Sequence, residues 1–308
     1  MINIYTKILP GILPLIAKLG IFCLLLSPSF AYSQERVLAV MSNDGKIYQD
    51  FYSRLGKKLP NDVAISKIMY SEVNAEILNN HKTIISIGYK AAKNVSKYKT
   101  NANVIYSLVP DDESLQDKLP CQKATCYKVY INQPVSRYVK LYKVLFPEGK
   151  RLALATTSKS SKLFQQMKIA AKNNDVAYKN IHVIKDENIP RAFAQNLNSN
   201  DVLLALPNTA IYNTNNAKSI ILSTYHTNVP IIAYSRSFAK AGALISLYSS
   251  IENIADKTAK IANAISVNKL LKQKEYYPDD FMLEINTSVA RSLNINIDSD
   301  EIIKRKIK

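Results

Sequence analysis

The feature that most constrains this chain is a rhythm that runs twice along it. From Arg36, short β-branched apolar runs alternate with amphipathic segments of helix length. VLAVMS precedes YQDFYSRLGKKL, DVAISKIM precedes SEVNAEILNN, and TIISIG precedes KAAKNVSKY, with NVIYSLVP and YKVYIN closing the series. Runs this short, apolar on both faces and separated by helices, read as strands of a parallel sheet covered on each side. After a break at INQPVSR the helix VSRYVKLYKVLFP follows and the alternation restarts: RLALATTS then SKLFQQMKIAAKNN, NIHVIKD then IPRAFAQNLN, DVLLALPN, VPIIAYS. The restart predicts a second α/β lobe of similar size, and no linker or low-complexity tract separates the two. The chain ends with a long helix in SIENIADKTAKIANAISVNKLL, a strand in FMLEIN, a helix in TSVARSLN, and a tail of weak pattern expected to fray.

The first 33 residues carry Lys7 and Lys18 and no acid, an apolar run Leu19–Leu26, and small residues at Ser29 and Ala31. That layout is a secretory signal peptide, cleaved after Ala31 or Ser33 and delivering the chain to the periplasm. The alternative is an uncleaved anchor. Its uncharged run from Lys18 to Ala31 is shorter than the roughly 20 residues a span needs, and Pro10, Pro14 and Lys18 weigh against lengthening it. Removing the leader takes the net charge from +17 to +15. The positive charges are scattered, with KRKIK the one dense run, so the reading is a solvated basic surface and no nucleic-acid partner. Removal also takes Cys23 and leaves Cys121 and Cys126. In an oxidising compartment this pair is expected to close a local disulfide worth about 2 kcal/mol. Redox chemistry would want a C-x-x-C spacing and zinc more ligands.

Spacing argues against catalysis. Gly45, Gly56, Gly88, Gly149 and Gly242 fall too far apart for a G-x-G-x-x-G or G-x-x-x-x-G-K loop, and no G-x-S-x-G elbow exists. His81, His182 and His226 have no neighbour at ligand spacing. Asp111-Asp112-Glu113 and Asp279-Asp280 read as solvated loop ends rather than an acid–base pair. The expectation is a non-enzyme with no cofactor and no metal.

What remains is polar decoration at strand ends. In open parallel sheets, ligands bind beyond the carboxyl ends of the strands, where loops and helix starts offer N–H groups. The ends here are Ser42-Asn43-Asp44, Gly88-Tyr89-Lys90, Thr156-Thr157-Ser158, Pro207-Asn208-Thr209 and Tyr234-Ser235. Any one of them is explained as a helix N-cap, where Ser, Thr, Asn and Asp are favoured anyway. Five from both lobes point to a shared cleft lined by Ser42, Asn43, Gly88, Tyr89, Thr156, Thr157, Pro207, Asn208, Tyr234 and Ser235. Tyr89, Tyr212 and Tyr234 offer rings for a planar ligand, beside the alternative of ordinary packing in a chain with nineteen tyrosines and no tryptophan.

DVLLALPN, VPIIAYSRSFAKAGALISLYSS and FMLEINTSVARSLNINI resemble the C-terminal half of the ABC-transporter substrate-binding family related to tryptophan- and tyrosine-binding lipoproteins. The resemblance is clear over about residues 200–297 and rests on rhythm over 36–199. It implies the type I periplasmic-binding-protein fold: α/β, two Rossmann-like lobes with parallel sheets and three crossings between them. We place the crossings near Ile131–Pro134, Arg236–Phe238 and Tyr276–Asp280. Lobe I is then 36–131 plus 238–272, lobe II is 132–237 plus 273–303, and 304–308 is a frayed basic tail. The implied function is capture of a small amino-acid-like or aromatic metabolite by hinge closure for an ABC-type uptake system. The alternatives are a stand-alone sensor presenting its closed form to a membrane receptor, or an enzyme reusing the fold. Partners are a small-molecule ligand and an ABC permease or membrane sensor, with the chain itself a monomer. Two departures matter. Asn208 stands where an acid is common, which removes a salt bridge to a ligand ammonium, and a lipid-anchor cysteine is lacking. Thiol labelling of denatured, unreduced exported protein is expected to give no signal; two reactive thiols per chain would refute the Cys121–Cys126 pairing.

Overall fold

The computed structural model describes residues 35–112, 119–122, 124–157, 161–184 and 188–308. The leader read from residues 1–33, and Glu113 and Ser158, lie outside the described residues. The first strand, β1 (Glu35–Met41), shows how each sheet is built. Side chains alternate across a strand. Val37, Ala39 and Met41 enter one core with Phe51 and Leu55 of α1 (Lys46–Lys58), while Leu38 and Val40 enter the opposite core. Both faces are therefore apolar and both are covered.

The elements follow in order as β2 (Val63–Met69), α2 (Ala75–Asn79), β3 (Thr83–Ile87), α3 (Tyr89–Val95), β4 (Asn103–Val109) and β5 (Thr125–Tyr130). These strands form the first six-stranded sheet with β11 (Glu275–Tyr276), in the order β11-β5-β4-β3-β1-β2, all parallel. The fully buried β3, TIISI, is the run the sequence marked as a two-faced strand. The Cys121–Cys126 disulfide, with Cα atoms 5.9 Å apart, closes the turn leading into β5.

The second sheet is built in the same way. Helix α4 (Val135–Leu145) leads to β6 (Arg151–Thr156), α5 (Lys162–Lys172), β7 (Tyr178–His182), α6 (Ile189–Asn196), β8 (Asp201–Leu204), α7 (Ala217–His226) and β9 (Ile231–Ala233). Next come α8 (Arg236–Ala241) and β10 (Ile245–Tyr248), and later β12 (Met282–Ile285) and α10 (Thr287–Ser292). The order is β12-β10-β9-β8-β6-β7, parallel except that β12 runs antiparallel to β10. Leu152 and Leu154 join a core with Tyr138, Leu141 and Met167, whereas Ala153 and Ala155 face Phe193 and Ile220. Among the described residues, no helix is long and apolar enough to cross a membrane.

Three sequence expectations are corrected here. Residues 238–250 were placed with the first lobe, but α8 and β10 belong to the second, because β10 pairs with β9 on one side and β12 on the other. The chain passes back only after Tyr248, and α9 (Ile251–Ser266) then packs Ile254, Ala255 and Ile261 into the first core. Residues 273–277 were placed with lobe II, yet β11 adds to β5 of the first sheet. The tail expected to fray is the helix α11 (Asp300–Ile307), whose Ile303 and Ile307 are fully buried one turn apart against α4. Asp300 and Glu301 in its first turn and Lys304, Arg305 and Lys306 in its last complement the helix dipole.

At the amino end of β8, Asp201 is fully buried and bonded by Arg151 Nε at 2.7 Å, Lys179 Nζ at 2.9 Å and the Asn198 N–H at 3.0 Å. Burial pushes its carboxyl up, but these three donors together outweigh that and hold it below the usual aspartate value. A depressed folded value means stability that is present above the unfolded value near pH 3.9 and lost as pH falls through the lower folded one. Asp201→Asn is expected to cost about 1.5–3 kcal/mol at pH 7. Urea melts at pH 7 and pH 3 check this: the gap between wild type and variant should narrow at the lower pH.

Candidate functional site

Parallel strands deliver their carboxyl ends to one edge of each sheet, and the chain leaves those ends in small polar residues. After β1, Ser42 is buried and its Oγ accepts the Ala91 N–H of α3 at 2.9 Å. Beside it, Gly88 caps α3 at φ +91°, and a Cβ there would lie 2.6 Å from Tyr48 Cε1 and 2.7 Å from Ser42 Oγ. Ser42, Tyr48 and Gly88 therefore form one close-packed corner. Asn43 is exposed and its Oδ1 takes its own loop's Gly45 N–H at 2.7 Å.

The carboxyl end of β4 carries the residues that sequence reasoning set aside. Asp111 and Asp112 are each only 2% exposed, so the reading of a solvated loop end is wrong. Asp112 Oδ2 accepts the N–H of Thr209 at 3.3 Å and its hydroxyl at 3.4 Å. Thr209 follows β8, so this contact joins the two lobes. Asp112 also lies close enough to Tyr89 and Tyr234 to act on both. Burial first, and then the Asp112 charge, pushes each phenol above its ordinary value.

The neighbouring Asp111 accepts the Tyr277 hydroxyl and faces Lys162 Nζ at 3.9 Å, and its backbone N–H donates to Asn132 Oδ1 at 2.9 Å. Burial raises its carboxyl above the usual range, against the pull of Tyr277 and Lys162. Lys162, at the start of α5 in lobe II, reaches Glu275 of the first sheet at 3.0 Å. Burial pushes the Glu275 carboxyl up, but the Lys162 ammonium bonded to it and the charge of Lys128 bring it below the usual glutamate value. Tyr130 and Tyr277 stack tilted at 5.3 Å and close this face.

In the second lobe, Thr156 is buried and its Oγ1 bonds Asn180 Oδ1 at 2.9 Å, whereas Thr157 is exposed. Pro207 is buried, and Asn208 Oδ1 takes the Ala210 N–H at 3.1 Å, which shapes the loop that presents Thr209. Tyr234 packs on Phe238 at 5.4 Å, and Phe238 meets Tyr212 edge-on at 5.9 Å. Ser235 precedes α8 with no side-chain cap bond. The buried hydroxyls of Tyr89 and Tyr212 have no hydrogen-bond partner among the described residues.

The structure thus brings Tyr89 and Tyr234 around Asp112, sets Asn208 next to Thr209, and joins Ser42 to Gly88. Asn43 is bonded within its own loop and Thr156 to Asn180. Asp112 was legible in one respect, because it follows the apolar run NVIYSLVP as the other site residues follow theirs. Among the described residues, no group of three His, Cys, Asp or Glu side chains is placed to hold a metal ion. The arrangement offers carboxylate and phenol hydrogen bonding beside aromatic faces, which suits holding a small polar ligand. The corner is testable by itself: Gly88→Ala should cost about 2 kcal/mol from forced φ and collision. Gly149→Ala, at φ +83° with open space around it, should cost only the backbone part. Denaturant melts of the two variants measure the difference.

Comparison with known proteins places this geometry. A search of the curated proteins finds none that matches. Among solved structures, CD0873 from Clostridium difficile, a substrate binding protein with adhesive properties in its ligand-free, open form, is 14% identical. It aligns over 87% of this chain and 97% of its own with a TM-score of 0.66. The ABC domain from Streptococcus pneumonia in complex with L-Trp is 16% identical over 88% of this chain and 98% of its own, at a TM-score of 0.56. A conserved domain protein from Vibrio cholerae is 16% identical over the same two shares, at 0.57. These likenesses carry the fold: two lobes of six mostly parallel strands, the type I periplasmic-binding-protein architecture. The family model described as ABC transporter substrate binding protein matches residues 61–307, and the chain belongs to that family of solute-binding proteins.

Proposed function

We propose that this chain is exported to the periplasm and captures a small amine-bearing metabolite, amino-acid-like or aromatic, between its lobes for an ABC-type uptake system. The observation that carries the reading is Asp112, a buried carboxylate at the end of β4 that meets Thr209 of the other lobe and acts on Tyr89 and Tyr234. A carboxylate at a lobe junction strengthens with each charged donor it can accept, and a ligand ammonium is a strong one. In a chain of net charge +17, three carboxylates, Asp111, Asp112 and Glu275, gather at this face with the lysines Lys162 and Lys128. That local excess of negative charge supports a cationic group on the ligand. Asp112 also supplies from lobe I the acid that position 208 lacks. The rings of Tyr89 and Tyr234 lie beside it for the planar part. Ser42, Asn43, Gly88, Thr156, Thr157, Pro207, Asn208 and Ser235 complete the proposed lining.

Ligand bridging both lobes favours the closed arrangement through contacts it makes only there. A thermal-shift screen of amino acids, purines and aromatic acids tests the reading. A ligand at a hundred times its dissociation constant adds about 2.7 kcal/mol to stability. The hit is expected among compounds bearing a primary amine. Asp112→Asn should weaken it by about tenfold to a hundredfold, or about 1.4–2.8 kcal/mol. Asn208→Ala and Thr157→Ala should weaken it as well. A hit on acids without an amine, unaffected by Asp112→Asn, would refute the assignment. Uptake of the hit by a strain lacking the gene separates transport from sensing: lost uptake supports the permease partner, and normal uptake with lost signalling supports a receptor.

A further inference from the structure

The chain passes between the sheets at residues 131–134, 249–250 and 277–281, and one side chain touches all three passages. Gln133 lies in the first and is only 2% exposed. Its Nε2 donates to Ser249 Oγ in the second at 2.8 Å and to the Asp280 carbonyl in the third at 3.0 Å. Its Oε1 accepts from Arg137, one turn into α4. Arg137 reinforces the third passage, donating to the carbonyls of Asp279 at 3.2 Å and Pro278 at 3.4 Å, with its guanidinium 4.7 Å from the Phe281 ring. Both donors and the acceptor of one buried amide are thus spent on groups 116 and 147 residues away and on the helix that fixes its own backbone.

We propose that Gln133 is the positioning residue that makes the three passages turn as a single hinge. The lobes can change their angle only if backbone dihedrals in all three passages change. With Gln133 in place, a twist of one passage alone would break a hydrogen bond that water cannot replace, because the amide is buried. A twist of all three together leaves the cluster intact. Independent strands would give a loose, multi-axis joint; the clamp leaves one axis. The link to the ligand face is short. Asn132, the preceding residue, holds the Asp111 backbone, and Asp111 adjoins Asp112. This inference rests on the two-lobe motion in the proposed function and not on the ligand's identity, so it is tested without ligand.

Hydrogen exchange of the full chain, read by mass spectrometry, is the experiment. In Gln133→Ala, peptides covering 131–134, 249–250 and 277–281 should exchange faster together, by about tenfold, the change that 1.4 kcal/mol of lost protection gives. Amides of β3 and β8, inside the two sheets, should keep wild-type protection. Gln133→Glu keeps the size and the Arg137 contact but cannot donate to the Asp280 carbonyl, so it should reproduce the effect even if the alanine variant folds poorly. Ser249→Ala, which removes one acceptor, should give a smaller effect at the same three places. Faster exchange confined to 131–134, equal acceleration throughout both sheets, or a wild-type pattern in Gln133→Glu would each overturn the proposal. Small-angle scattering supplies an independent arm: a broader spread of particle dimensions in Gln133→Glu supports the clamp, and an unchanged spread refutes it.

Discussion

Both faces of each sheet are buried, and this leaves polar chemistry nowhere to go but the strand ends. A parallel strand such as β3 spends its side chains on two cores and its backbone on two neighbours. The first residues free of both cores are those just past its carboxyl end, Gly88 and Tyr89. Because the strands of a sheet run the same way, these residues collect along one edge. The crossings then set the two edges together, as the Asp112–Thr209 and Lys162–Glu275 contacts record. The site follows from the requirement to cover two-sided sheets and not from any local motif.

The same logic decides what was legible in the sequence. Strands such as VLAV, TIIS and LALA announced themselves because two-sided burial admits only apolar residues and an occasional small hydroxyl. The family resemblance and the disulfide were legible as well. The assignment of β10 was not, because ALISLY is an apolar run that would serve as the next strand of either sheet. Its place is fixed by antiparallel pairing with β12, which lies beyond α9 and an excursion into the other lobe. Helix α11 was missed because only Ile303 and Ile307 mark its buried face, and a two-residue stripe gives little period to read among charged neighbours. Asp112 was dismissed because an acidic pair in a loop is normally solvated. It is buried and bonded by Thr209, 97 residues away, a contact that no local pattern reveals.

Electrostatics sharpen the contrast between the outer surface and the lobe junction. The chain is strongly basic, yet its ion pairs on the outside, such as Arg54 with Asp50 and Glu252 or Lys306 with Asp298, are substantially exposed and worth little each. The acids at the lobe junction sit in a different medium. Asp111 is held with a raised carboxyl while Glu275, a lysine away, is held with a lowered one. The difference is depth: the Asp111 side chain is 3% exposed and burial prevails, whereas Glu275 is 39% exposed and its lysine partners prevail. A junction with this gradient responds to an added cation more strongly than the outer surface does, because screening by water and salt is weakest where the groups are least exposed.

Helix α9 ties the hinge to this arrangement. It leaves lobe II at Ser250, where a capping box with Asn253 fixes its start, and lays Ile254, Ala255 and Ile261 into the first core. Its outer side carries Lys257 and Lys260, which hold Asp279 at 2.5 and 2.9 Å in the third passage. Burial pushes the Asp279 carboxyl up, but these two lysines bring it below its ordinary value, so the pairing persists across neutral pH. Asp279 is therefore held through its side chain by lobe I and through its carbonyl by Arg137 of lobe II, while its neighbour Asp280 is held through its carbonyl by Gln133 and through its side chain by Lys308 of lobe II at 3.2 Å. The acidic pair reads in sequence as a solvated loop end, and both residues are exposed, yet their carboxylates tie the third passage to lysines of both lobes.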